Sequence, residues 1–397
     1  MPTQAFKIQR GTVNMTGTLS NLFAGVDYTS PISATSAFVR ITNARLTGAG
    51  PTTGGTQENL NCFTAYVTGA SDLTSGFSLV RNNSADDTDI TWEIVEYVGG
   101  AGGANEFIVR TAEGITGTAV TLTGTTLTTV VDAADCVVFI TGQSTEAADR
   151  NSWADALWTS SLVANGGDWD PTIVRGNTQT ATTCGASVAV VEFTGSNWTV
   201  TREEFTTTAT DWTTSATNNN TTYTLGTSIA SKLKTFLHVQ MRSSHDPTGL
   251  NDAGDNVELN NTTLLTVRNR VSTGTKTKVA WVVQNSQADG TARNMATEQI
   301  AAYWTTGSDP STSSQTLTIT VDAMDETSIM GECCSCDGGG TTMPRGNPNV
   351  RLTSTSNVDF WRADGGQELR ISAIVVQWPE DPDAAGPSTK CYIINSD

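Results

Sequence analysis

The residues of this chain that could do chemistry are few, and the densest set is GECCSCDGGG, with Cys333, Cys334 and Cys336 in four positions. Thiolates this close can share a zinc with a fourth ligand. Zinc knuckles favour paired CxxC spacings, and no second pair exists here. Adjacent cysteines rarely bond each other, because the geometry strains; one of the three could instead pair with Cys391 and pin the C-terminal tail. Metal ligation, a disulfide and free loop thiols all stay open for this segment, and no cofactor is expected. Cys62 and Cys136 lie in strand-like runs and read as core thiols.

Other candidates are thinner. His238 sits inside the apolar run TFLHVQM and reads as a core or wall residue, while His245 lies in the loop SSHDPTGLNDAGDN. Catalytic signatures such as GxSxG, HExxH or a Walker loop are missing, so no enzyme is expected. Carboxylates gather at Asp86, Asp87 and Asp89, at Asp168 and Asp170, and at Asp246, Asp252 and Asp255. Calcium wants several oxygens from one loop, but Asp and Asn are also ordinary turn residues. Trp153, Trp158 and Trp169 cluster with Asp168 and Asp170. Exposed, that set would suit stacking on a sugar face; the alternative is that Trp158, on an alternating strand, is core.

These residues hang on a repeated frame. FSLVRN, PTIVRG, LLTVRN and VDFWRA end on Arg81, Arg175, Arg268 and Arg362, at steps of 94, 93 and 94 residues. After each comes a polar turn and a closing run: WEIVEY, VAVVEF, AWVVQN, AIVVQW. A fixed period this long marks tandem copies of one folding unit. The closing runs carry Glu96, Glu192, Gln284 and Gln377 at one equivalent position, which suggests that each Arg lies near this acceptor. Such a pair could hold one unit together, join two units or subunits, or bind a ligand.

Strand-like runs alternate in period two, and Thr, Asn and Gly replace charge, which is 16% of residues. The expected fold is all-β: four tandem antiparallel β-sandwich modules of about 90 residues, at 1–100, 101–196, 197–288 and 289–380, with a tail at 381–397. The loop after the AFVRIT-type strand varies most in length, as binding loops on a constant frame do. Net charge is −18 with no basic block, so no nucleic-acid partner is expected. No signal-peptide core opens the chain and no apolar stretch is long enough for a membrane-spanning helix, so membrane insertion is not expected.

The order of these strands, best seen in DITWEIVEY with Arg81 and ASVAVVEF with Arg175, resembles small β-sandwich modules in virion proteins of tailed bacteriophages. These are tail-fibre, spike and capsid-decorating proteins, some compared with H-type lectins. The third and fourth copies depart from that pattern in having Gln for Glu. The resemblance implies a structural virion protein, assembled in the host cytoplasm and released by lysis, and carries over no catalytic residues. The chain then reads as an elongated fibre, spike or decoration whose partners are itself, as a homo-oligomer such as a trimer, and other virion proteins. The alternative is an adhesin that binds host surface glycan through the second-module loop.

Overall fold

The computed structural model describes residues 4–15, 20–23, 28, 33–46, 64–68, 73–80, 88–145, 157–176, 184–208, 220–243, 255–268, 275–290, 292–304, 312–319, 321–337, 349–361 and 368–382. Regular structure in them is strand, apart from three single 3-10 turns. The strands come in four runs of six. The first is β1 (Phe6–Met15), β2 (Ser20–Phe23), β3 (Ala37–Leu46), β4 (Thr64–Thr68), β5 (Phe77–Val80) and β6 (Thr88–Tyr97). The second is β7 (Ile108–Gly117), β8 (Thr121–Thr123), β9 (Cys136–Thr145), β10 (Trp158–Asn165), β11 (Asp168–Arg175) and β12 (Cys184–Glu192). The third is β13 (Trp198–Thr208), β14 (Asn220–Thr224), β15 (Thr235–Ser243), β16 (Asn256–Leu259), β17 (Leu264–Arg268) and β18 (Thr275–Asn285). The fourth is β19 (Ala296–Trp304), β20 (Thr312–Thr316), β21 (Thr327–Asp337), β22 (Asn349–Ser354), β23 (Asn357–Trp361) and β24 (Glu368–Gln377).

One strand order recurs in every run. The sixth strand is flanked by the first and third, and the fifth by the second and fourth, all antiparallel. Two three-stranded sheets therefore face each other, as the alternating strands require. The chain is all-β, as expected from its composition.

The sixth strands break the simple alternation. Every residue of β12 is buried, as is every residue from Ile90 to Tyr97 and from Ile371 to Trp378. A strand covered on both faces reads as a near-continuous apolar run, and WEIVEY, VAVVEF, AWVVQN and AIVVQW come close to that, broken by Glu93 and Glu96, by Glu192, by Gln284 and Asn285, and by Gln377. One face packs inside its own sandwich: Trp92 meets Phe77 edge-on with centroids 5.4 Å apart. The other face meets neighbouring runs.

The reason lies in the register. The start of each first strand pairs with the end of the sixth, Phe6 with Tyr97 and Trp198 with Asn285. The chain thus comes into and leaves each sandwich at the same pole, and short connections lead on to the next. Successive sandwiches must then stand side by side around a common centre. The fourth strand of each run meets the third strand of the next: β4 with β9, β10 with β15, β16 with β21, and β22 with β3. The last contact closes the circle. This corrects the expectation of an elongated rod: end-to-end stacking needs the chain to leave each unit at the pole opposite its start. It also covers edges that would otherwise seek another copy. At β4–β9 the cover is direct pairing, Thr64 with Ser144 and Ala65 with Gln143, which fuses two sheets into one of six strands.

Candidate functional site

Two layers of side chains surround the centre of the ring. At the pole where the chain passes between runs, Phe6 stacks on Trp378 at 4.7 Å and also meets Tyr97, Phe107 and Trp198, within 5.5 to 6.3 Å. Phe6, Phe107 and Trp198 hold the same place, at or just before the start of a first strand, in three different runs. Around this aromatic hub lies an amide network. Asn105 Nδ2 donates to Gln287 Oε1 at 2.6 Å, and Asn197 and Asn285 both donate to Asn105 Oδ1 at 3.0 Å. Tyr97 donates to Asp381 at 3.0 Å, and burial followed by that carboxylate pushes its hydroxyl pKa well above the usual tyrosine value.

Deeper in, each third strand contributes one side chain at an equivalent register: Arg40, Phe139, His238 and Met330. Arg40 donates to the Ile329 carbonyl and reaches the Met330 sulfur at 2.8 Å. The buried Glu93 accepts from the Ile329 N–H at 3.2 Å and from Arg10 Nε at 3.2 Å, and Arg10 also donates to the Met324 carbonyl at 2.9 Å. His238 Nε2 accepts from the Ile140 N–H at 3.1 Å, its ring 4.9 Å from Phe139. Burial, then the charge of Arg40, lowers its pKa from 6.5 to about 3. A neutral imidazole locked as an acceptor is not a general base. Gln240 Nε2 donates to the Val138 carbonyl at 2.7 Å while its Oε1 accepts from the Ser160 N–H at 2.8 Å. At the third junction Glu258 receives Arg268 from its own run at 3.3 Å and Arg370 from the next at 2.8 Å.

The structure separates the residues that the repeat suggested as pairs. Arg175 ends β11 and lies near the start of β12: its guanidinium sits 5.7 Å over the buried Trp158 ring and 3.1 Å from Cys184 Sγ. Glu192 lies at the other end of β12, roughly 25 Å away at ~3.3 Å per residue. It pairs with Arg110 at 2.5 Å and accepts from the Asp132 N–H at 2.9 Å. Likewise Arg268 holds Glu258, while Gln284 accepts from the Ala230 N–H at 2.8 Å. A turn joins the fifth strand to the sixth, so an Arg at the end of one neighbours the start of the other, never its end. In the second and third runs the shared acceptor instead ties down the backbone that leads into the third strand. Glu96 and Gln377 are buried at the matching register. Arg81 and Arg362 lie outside the described residues.

The sugar platform also dissolves. Trp158 is 1% exposed under Arg175. In the β10–β11 register Trp158 faces Arg175 and Trp169 faces Ala164, on the core side, where Trp169 packs partly buried. Asp168 and Asp170 alternate with Trp169, so they point to the opposite face, where Asp170 accepts from Asn165 at 3.0 Å. Trp153 lies outside the described residues. Cys333, Cys334 and Cys336 belong to β21, paired with Ser372, Ile371 and Leu369, and not to a loop; their side chains, like Cys391, lie outside the described residues. Among the described residues no group of three metal-ligating side chains comes together. Asp255, placed with the acidic loops, is instead fully buried against Lys276 and Lys278. Asp86, Asp87, Asp246, Asp252, His245 and Cys62 lie outside the described residues.

Sequence reasoning missed Arg10, Arg40, Glu93 and Gln240. The mostly apolar closing runs of the sixth strands were the available signal, since a strand covered on both faces needs apolar residues on both. Cys136 is buried, and burial, followed by Glu192, pushes its thiol up to about 12, far from a nucleophile. A cleft of about 180 Å³ at the junction of the third and fourth runs is lined by Lys232, Leu233, Leu259, Glu298, Gln299 and Ile374, without cysteine or histidine. No described helix is long and apolar enough to cross a membrane. What the centre does chemically is bind the chain to itself. No family model matches the chain, and no curated protein matches it.

Proposed function

We propose that this chain is a structural virion protein of a tailed bacteriophage, of the capsid- or tail-decoration kind. The reading starts from the resemblance of its repeats to virion β-sandwich modules. The observation that carries it further is the closed ring. Its sandwiches are sealed at every junction by buried or partly buried contacts, and the described titratable groups at the centre named above hold backbone groups or one another.

The strand ends joined by the most variable segments, after each third strand, all lie at the pole opposite the aromatic hub. A rigid ring with one pole for attachment and one for display suits a part that works by multivalent contact. The net charge of −18 keeps many copies from clumping before assembly.

The test is fractionation of the lysate in which the chain is naturally produced. On this reading it sediments with DNA-filled particles at a stoichiometric copy number, and antibodies against it label the particle surface. A chain found only in the soluble fraction, with bare particles of full infectivity, refutes the assignment.

A further inference from the structure

The third sandwich encloses a set of groups that the ring does not use. Lys276 and Lys278 project from β18 into the space between the sheets, where Asp255, just ahead of β16 in the opposing sheet, meets both. Lys276 Nζ lies 2.8 Å from Asp255 Oδ1 and Lys278 Nζ lies 2.5 Å from Oδ2. Thr207 on β13 accepts from Lys278 and lies 3.5 Å from Asp255 Oδ2. The side chains of Asp255 and Lys278 are 0% exposed and that of Lys276 2%.

Two ammonium groups and one carboxylate in a dry space are costly, since each buried ion forfeits several kcal/mol of hydration. We propose that Lys278 and Asp255 condense to an intramolecular amide, a covalent staple between the two sheets of this sandwich. The start is the ion pair. Burial alone would push the Asp255 carboxyl up, but Lys278 and then Lys276 hold it below the usual carboxylate range.

Within the contact a proton passes from Nζ of Lys278 to Oδ2, with Thr207 Oγ1 placed to relay it. Moving charge off both groups is favoured where water is excluded. The free Nζ lone pair attacks Cγ, and the Nζ–Cγ bond forms as electrons move onto Oδ1, where the Lys276 ammonium stabilises the oxyanion. Nζ gives up a second proton to Oδ2, the Cγ–Oδ2 bond breaks, and one water leaves. An ammonium and a carboxylate become a neutral amide and water, so charge and atoms balance with no other reactant. Lys276 keeps its charge and donates to the new amide oxygen.

Intact-mass measurement of the reduced full-length chain, followed by peptide mapping, decides this. We expect a mass one water below that of the same chain unlinked, and a branched peptide joining Lys278 to Asp255. Lys278→Arg should restore the missing water, and Lys276→Met should slow linkage, leaving a mixture in freshly made protein. Folded wild-type chain with Lys278 and Asp255 in separate peptides overturns the proposal. A branch on Lys276 overturns the assignment of the nucleophile. The wild-type map needs no variant to fold, and its result is independent of any role in a virion.

Discussion

The junction between the second and third runs and the junction between the fourth and first solve one geometric problem with different chemistry. In both, the carbonyl two residues into a third strand points at the neighbouring run. Val138 O is taken by the neutral amide of Gln240, and Ile329 O by the cation of Arg40. The neutral junction adds a neutral imidazole, His238, accepting from Ile140 N. The charged one adds Glu93, accepting from Ile329 N and paired with Arg10. What the fold demands at each place is a partner for a buried backbone group. Which side chain supplies it is free, because a single chain with four repeats can diverge at each junction, where four identical subunits could not.

The comparison can be broken most forcefully at Glu93. Glu93→Ala strips the Ile329 N–H of its acceptor and leaves Arg10 without its carboxylate, so unfolding free energy should fall by about 3–5 kcal/mol. Denaturant titration reads it, and a loss comparable to a surface substitution would show that the charged junction is not buried in solution. At the neutral junction Gln240→Ala leaves the Val138 carbonyl and the Ser160 N–H short of a partner, at about 1–3 kcal/mol. If the two variants cost the same, the distinction between the junctions fails.

Acid sharpens the contrast. The folded chain keeps His238 neutral down to about pH 3, whereas the unfolded chain protonates it near 6.5. Below that value the unfolded state binds the extra proton, so stability drops as pH falls from 6.5 toward 3. Nearby Arg40 opposes protonation throughout. In His238→Gln the slope of unfolding free energy against pH in this window should flatten, and an unchanged slope would mean that His238 is not held neutral. The smallest effect is expected at the turn before β9, where Asp132 Oδ1 accepts from the Ala134 N–H at 2.9 Å. By analogy with helix caps, Asp132→Ala should cost about 0.5–2 kcal/mol, read as a modest drop in melting temperature.

The period of the repeat, the strands and the all-β class were legible in the chain because they depend on local pattern: alternation, turn residues, and the same order of segments four times over. The core placement of His238 and Cys136 was legible too, since each sits in an apolar run, whereas for Trp158 the sequence left a core and a sugar-stacking reading open and the burial under Arg175 decided between them. The partners of Arg175 and Glu192 were not. Sequence shows that both recur, but whether they meet depends on how far apart the fold sets the end of a fifth strand and the end of a sixth.

Ring closure was beyond the sequence for the same reason. It needs the start of each first strand to pair with the end of each sixth, about 90 residues apart, and β22 to find β3 across almost the whole chain. Hydrophobic patterning specifies that a face is buried, not which neighbour buries it. The sequence by itself determined the all-β class, a strand order that recurs along the chain and the mostly apolar closing runs. Only the tertiary structure decided that the runs of strands close on each other, because that choice rests on contacts between residues that no local pattern relates.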